Sequence, residues 1–470
     1  MRDEIETSDA PAAPQPKLTP ANENPWYVLM TLYGEQEGDR IDWELHKKNR
    51  RAWNTWACQG FTLEELELAK SVVSRHTGDP DSWVDHSEEL SSRFTKAFLS
   101  RNPGTVLLPE IPSPVREIDL SSIAFSATVH CDGMVFPREV SFRASNFGQE
   151  VGFDNCYFFG RAEFNDVVVK GEIRFWLTVF SNGCGFSGAK FEGFTFFGGT
   201  SFERGAHFAY ASFFGGVHFF ASVFKEGADF SCARFKGDVK KDRVDFGKAE
   251  IRRYITFSRA EFFDIYPNLG DASFPDSVTF TARQKPTPAD IEDFEYLHNT
   301  TFWPERTTQN PEIVRQTCAT IRHLLAKQGL SEDEHFFFRR EMHFAGKIGS
   351  IWQRLPYLLF GLFSEYGYSI LRPTLWLLGV WALGFAAFWG YFSGCCVPAP
   401  HDVIERPMGS AMALSFSNLF PLFGFGRTFL LEELKALPAV LQFFSGVQSV
   451  ASLPLLFFLG LGLRQRFRLR

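Results

Sequence analysis

Along the middle of the chain, hydrophobic positions recur at neither of the two common spacings. Phenylalanine stands at Phe136, Phe142, Phe147, Phe153, Phe158, Phe164, Phe175, Phe180, Phe186, Phe191, Phe197, Phe202, Phe208, Phe213, Phe219, Phe224, Phe230 and Phe235, and Val169 fills the one empty beat. The steps alternate between five and six, so the period is 11. The rhythm slips between Lys236 and Asp245 and resumes at Phe246, Ile251, Phe257 and Phe262. A helix would show a period of 3.6 and a long strand a period of 2. Steps of five and six fit a chain that makes a very short strand, turns a corner and repeats. A small residue sits two before many beats, as in Ala162, Ala189, Ala206, Ala228 and Ala233. Side chains alternate across a strand, so this residue and the beat both point inward. The aromatic fills the core, the small residue leaves it room, and successive coils stack. Cys156, Cys184 and Cys232 are expected at the small inward position, as buried hydrophobes and not as ligands.

The unit small-x-Phe-x-x, carried from Ile118 to Phe280, resembles the pentapeptide-repeat family. The resemblance implies a right-handed, quadrilateral β-helix solenoid. The sixth residue at every second face departs from the family's unit of five and is read as a widened corner. That gives about 22 residues per coil, about seven coils and a stack ~35 Å long. Some members of the family bind DNA gyrase by mimicking DNA with an acidic face. The near balance of acids and bases in this repeat speaks against that role.

The flanks read as helical. Residues 1–24 are rich in Ala, Pro and acids without an apolar run, and are expected to be a disordered leader. Residues 25–117 are expected to form a mostly helical cap over the apolar end of the stack. Trp26, Tyr27, Leu29, Leu32 and Tyr33 have helical spacing, and Thr62 with Glu65 forms a capping box. The run Lys47, Lys48, Arg50, Arg51 reads as a solvated helix face. The solenoid is assigned to 118–283 and a helical hairpin to 284–350. Asn310-Pro311 opens its first helix, Gly329 ends it, and Ser331 with Glu334 caps the second. His335 and His343 lack a third ligand for a metal.

The composition changes from Trp352 onward, and 351–470 is assigned to a membrane domain. Residues 373–392 form an uncharged 20-residue run, and 439–463 an uncharged 25-residue run that closes on Arg464, Arg466, Arg468 and Arg470. A helix of 20 residues spans ~30 Å, the thickness of a bilayer's hydrocarbon. Both are expected to be transmembrane helices. Arginines outside both ends place the two termini in the cytoplasm and the connecting loop outside. The expected location is a bacterial inner membrane, with the solenoid on the cytoplasmic side.

The apolar loop segment at about 410–426 is expected to be re-entrant or interfacial, and it ends in Gly424, Phe425 and Gly426. Span, half-buried helix, Gly-aromatic-Gly and span together are similar to the pore unit of potassium-type channels. In that family the segment offers backbone carbonyls to a dehydrated cation. Pro421 and Leu422 stand where the family has hydroxyl residues, and Arg427 where it has an acid. Gln442, Ser445, Ser449 and Ser452 lie on one face of the second span, as a pore-facing stripe or as packing contacts. The C-terminal third also looks like the tail of bacterial membrane-bound pentapeptide-repeat proteins.

The net charge of −7 gives no basic field for nucleic acid. The chain holds no Gly-rich phosphate loop, HExxH or GxSxG motif, so no enzyme and no cofactor is expected. Eight cysteines without CxxC pairs do not make a disulfide scaffold. Two functions remain: a membrane-anchored scaffold presenting the β-helix to a protein partner, or a channel-like protein gated by the β-helix. Homo-oligomerisation through the spans goes with the second.

Overall fold

The computed structural model describes residues 17–38, 40–77, 87–105, 109–236, 244–276, 278, 280, 301–304, 306–394 and 406–466. Most of the expected leader, the start of the hairpin region and Arg468 and Arg470 lie outside them. The chain forms two compact units, Met1–Glu334 and His335–Arg470.

The first unit is a four-sided β-solenoid with helices at each end. Twenty-six strands of two or three residues run from Ile118–Asp119 to Glu261–Phe262. They form four parallel sheets, called faces I to IV in the order the chain visits them, with seven, eight, six and six strands. Face II gains its eighth strand from Thr19–Pro20 at the base. Each strand pairs with the strand one coil on, as Val179 does with Ser201 and Ala162 with Cys184, 22 residues apart. The ten phenylalanines on the beats from Phe186 to Phe235 are fully buried. Phe164, Phe186, Phe208 and Phe230 form one column, with successive ring centroids 4.9, 5.0 and 4.7 Å apart.

The five-residue steps share one backbone solution. At the corner from face I to II, Ser122, Ala144, Asp166, Gly188, Tyr210, Cys232 and Arg259 all have positive φ; at the corner from III to IV, Leu177, Ala221 and Lys248 do too. The left-handed residue makes the tighter five-residue turn, at a cost of ~1–2 kcal/mol for each non-glycine. Cys232 is therefore a corner residue and only half-buried, not at the inward position expected for it. It stands three before its beat, where Ala233 takes the inward place. Cys156 and Cys184 are buried as expected.

The six-residue steps rely on glycine at Gly171, Gly193 and Gly215. A Cβ on Gly193 would collide with the backbone of Gly171 one coil below, and a Cβ on Gly215 with that of Gly193. Inside face IV, small inward residues stitch coils together. Thr200 Oγ1 donates to Phe175 O and Ser222 Oγ to Phe197 O, both at 2.6 Å. Thr178 donates to Phe153 O in the same manner. These bonds satisfy hydroxyls that burial would otherwise penalise.

Helices close both ends. At the base, α1 (Pro25–Met30), α2 (Trp43–Cys58), α3 (Leu63–Thr77) and α4 (Ser87–Arg101) form the cap. The first is shorter than the spacing of Trp26 to Tyr33 suggested: Leu32 and Tyr33 lie in the turn beyond it. Thr62 and Glu65 form the reciprocal capping pair. Asn54 takes the place of a missing coil, accepting from Val135 N at 3.0 Å and donating to Gly133 O at 3.1 Å. Trp53 Nε1 donates to Val135 O at 2.7 Å. At the far end, α5 (Pro311–Gln328) is capped by Asn310 and ended by left-handed Gly329. Its Thr317 donates to Pro267 O at 2.7 Å, and Trp303 stacks on Phe262 at 4.8 Å to finish an aromatic column.

Helix α6 (Ser331–Ala345) crosses the boundary between the units. The second unit continues with α7 (Ile351–Ser364), α8 (Leu371–Phe392), α9 (Pro407–Leu419), a 3-10 turn (Pro421–Phe423), α10 (Phe425–Phe429), α11 (Leu431–Ala436) and α12 (Ala439–Arg466). Helices α8 and α12 are long and apolar enough to cross a membrane. Glu365 ties the start of this bundle together, within 3.2 Å of Arg339 and 3.6 Å of Arg372.

Candidate functional site: a buried polar cluster and the outer faces of the solenoid

The segment between α8 and α12 descends along them and returns. Near the loop end, Ala411 and Leu414 of α9 pack with Phe388 and Phe392 of α8 and with Leu437. Further along, Leu419 packs with Leu377 and Leu455. Leu377 lies 15 residues from Phe392, about 22 Å along the helix. Helix α9 therefore runs most of the length of α8. Leu430 and Leu434 then pack back against the cluster at the loop end.

Polar side chains meet where α9 crosses the middles of α8 and α12. Asn418 Nδ2 donates to Ser445 Oγ at 2.8 Å and to Gln448 Oε1 at 3.0 Å. Gln448 Nε2 donates to Ser415 Oγ at 2.8 Å, and Ser415 Oγ to Trp381 O at 2.8 Å. Ser452 Oγ donates to Asn418 O at 3.2 Å. The chain comes this close because position 384 is glycine: a Cβ there would collide with Gln448 and Ser415. The cluster holds amides and hydroxyls and no acid, base or nucleophile. Its chemistry is to lock three helices together, each such bond being worth ~0.6–2 kcal/mol in a membrane.

The stripe Gln442, Ser445, Ser449, Ser452 is thus divided. Ser445 and Ser452 join the cluster, whereas Gln442 donates to Leu437 O at 2.9 Å, just ahead of its helix, and Ser449 to Ser445 O at 3.0 Å within it. Gln448, Asn418 and Ser415 complete the cluster and were missed by the helical spacing. Gln448 is three residues from Ser445 and four from Ser452, the one signal that pointed to it.

Gly424, Phe425 and Gly426 form the turn into α10. Gly424 is left-handed, with φ +67°. Its carbonyl accepts from Thr428 N at 3.1 Å, and that of Gly426 from Leu430 N at 3.2 Å, both within helical turns. Phe425 is exposed and stacks on Phe423 at 5.7 Å. The side chain of Arg427 lies outside the described residues. Among the described residues, no three His, Cys, Asp or Glu are placed to hold a metal ion.

In the first unit, face III carries a patch of outward aromatics. Trp176 lies 5.3 Å from Phe196, and His218 lies 4.8 Å from Phe194. Trp176 is 51% exposed and Phe220 42%. Below them, where α2 meets the first coils, a titratable cluster is buried. His46 Nε2 donates to Asp132 O at 2.9 Å, and His130 Nδ1 stands 3.6 Å from the Asp132 carboxylate. Burial lowers the His46 pKa below its ordinary 6.5. Burial acts to raise that of Asp132, but His130 and His46 outweigh it and hold it low.

Comparison with family models, with curated proteins and with solved structures found no match.

Proposed function

We propose that this chain is a membrane-anchored pentapeptide-repeat protein whose solenoid is a rigid binding surface for a protein partner. The observation that carries the reading is the aromatic patch of Trp176, Phe196 and Phe220 on face III of a solenoid whose chain also has two membrane-length apolar helices. Exposed aromatics on a surface that does not deform lose little entropy on binding. The excess of arginine outside both spans supports cytoplasmic termini and a cytoplasmic solenoid in a bacterial inner membrane. The reading invokes no catalysis and needs no cofactor. The test is quantitative cross-linking in cells with the full-length chain. A partner captured by the wild type and lost in Trp176→Glu with Phe220→Glu, at unchanged melting temperature, supports the reading. Identical capture by both sinks it.

A second reading, a conducting pore, draws on the descending and returning segment between the spans. It requires the carbonyls of Gly424 and Gly426 to leave their helical bonds and four or so copies to assemble through the spans. Unitary conductance in a planar bilayer that vanishes in Gly424→Val would put this reading in place of the scaffold.

A further inference from the structure

On faces I, III and IV, cations stand beside acids. Arg161 pairs with Glu163, Arg174 with Asp154 at 3.1 Å, Lys225 with Glu203 at 2.5 Å and Arg252 with Glu250 at 2.9 Å. Face II differs. Lys170, Lys190, Arg234 and Lys236 project from it and are exposed. Among the described residues, none of these four is ion-paired. Two acids, Glu192 and Glu261, stand on the same face, Glu261 next to Arg234 in the ladder, so the four cations remain in excess.

The four cations surround an aromatic row. Lys190, Ser212 and Arg234 are successive partners in the ladder, so Ser212 lies between two cationic coils. Tyr210 and Phe214 flank Ser212 on the same coil, 65% and 46% exposed. Three coil steps from Lys170 to Lys236 span ~14 Å. The face is flat, so it cannot enclose a small anion, and like charges this close repel until an anionic surface neutralises them. Tyrosine and phenylalanine among lysines and arginines suit the headgroup region of a bilayer.

We propose that face II docks on anionic lipid headgroups. The proposal rests on the membrane-anchored reading, since the anchor keeps the face at high effective concentration near lipid and makes a weak attraction sufficient. Lys170, Lys190, Arg234 and Lys236 supply the attraction, and Tyr210 and Phe214 enter the interface.

The test uses the full-length chain in vesicles of phosphatidylglycerol and phosphatidylcholine at about 1:3. A photo-cross-linking aromatic, p-benzoylphenylalanine, replaces Tyr210 in one preparation and Trp176 of face III in another. Lipid adducts at position 210 should exceed those at 176 by about fivefold or more. They should fall to the level at 176 in pure phosphatidylcholine, in about 1 M salt, and in Lys190→Glu with Arg234→Glu and Lys236→Glu. Should that triple variant not fold, Lys190→Gln with Lys236→Gln is read instead. Equal adducts at both positions, adducts indifferent to lipid charge and salt, or adducts to a second protein chain or to nucleic acid would overturn the proposal. Extraction of the chain by alkaline carbonate would sink the anchor separately. The contrast between 210 and 176, read on the same vesicles beforehand, would still decide the face.

Discussion

Phe175 and Phe197 occupy the same place one coil apart, with ring centroids 4.9 Å apart and planes within 3° of parallel. Each is also edge-on to Phe186, at 5.6 and 5.3 Å. Every interior ring thus has neighbours above, below and beside it, and the cost of losing one spreads through the stack.

Phe197→Ala should therefore cost about 3–5 kcal/mol, and Phe197→Leu markedly less, because the smaller cavity can be partly refilled. Urea unfolding followed by far-UV circular dichroism reads both. Equal losses would mean that shape, and not volume, sets the cost.

Gly193 faces the backbone of Gly171. Gly193→Ala should destabilise by about 1–3 kcal/mol, since two backbones must move apart to admit the methyl. Gly104, which has open space around it, serves as the control and should accept alanine with little change. Differential scanning fluorimetry on the two variants would show whether the corner is as tight as its geometry requires.

The buried His46 gives the cap a pH dependence. Its folded pKa lies below 6.5, so the folded state binds fewer protons than the unfolded state as the pH falls. Its contribution to stability is complete above about pH 6.5 and is lost as the pH drops towards the folded value. Asp132, also held low, works in the same direction in the acid range. The urea midpoint should fall between about pH 7.5 and pH 5.5, and less in His46→Gln. A variant with the wild-type slope would remove His46 from the account.

Asn418 bridges Ser445 and Gln448. Asn418→Ala strands both partners and Asn418→Leu adds bulk besides, so both should loosen α9, by about 0.6–2 kcal/mol for the alanine. Cysteine accessibility of an exposed site on α9, such as Met412→Cys, measured in detergent micelles, would report the loosening. Unchanged accessibility would show that the apolar contacts of Leu414 and Leu419 hold α9 alone.

The solenoid was legible in the sequence because two inward positions repeat many times in phase. A single coil such as 186–208 would not have betrayed it. The left-handed corners were not legible, because Leu177, Tyr210, Lys248 and Arg259 are not residues that favour such turns. They adopt it because the stacked coils on either side fix where their strands begin and end. The cap's use of Asn54 as a substitute coil depends on meeting residues some 80 positions away, a relation no local pattern carries. Helical spacing found Ser445 and Ser452 but also took in Gln442 and Ser449, which bond backbone carbonyls of their own helix or of the turn just ahead of it. Which part of a polar stripe faces a neighbour is decided by that neighbour, here Asn418.

The parallel register has a mechanical corollary. Val217 pairs with Val244, 27 residues on, where other coils advance by 22, yet the sheets continue in phase on both sides. Extra chain between Lys236 and Val244 is absorbed without disturbing the stack. Whole coils, by contrast, could be duplicated or deleted with a change of only ~4.8 Å in length each. A protein built this way is an adjustable spacer: its reach from one end to the other is set by counting coils, independently of what its four faces bind.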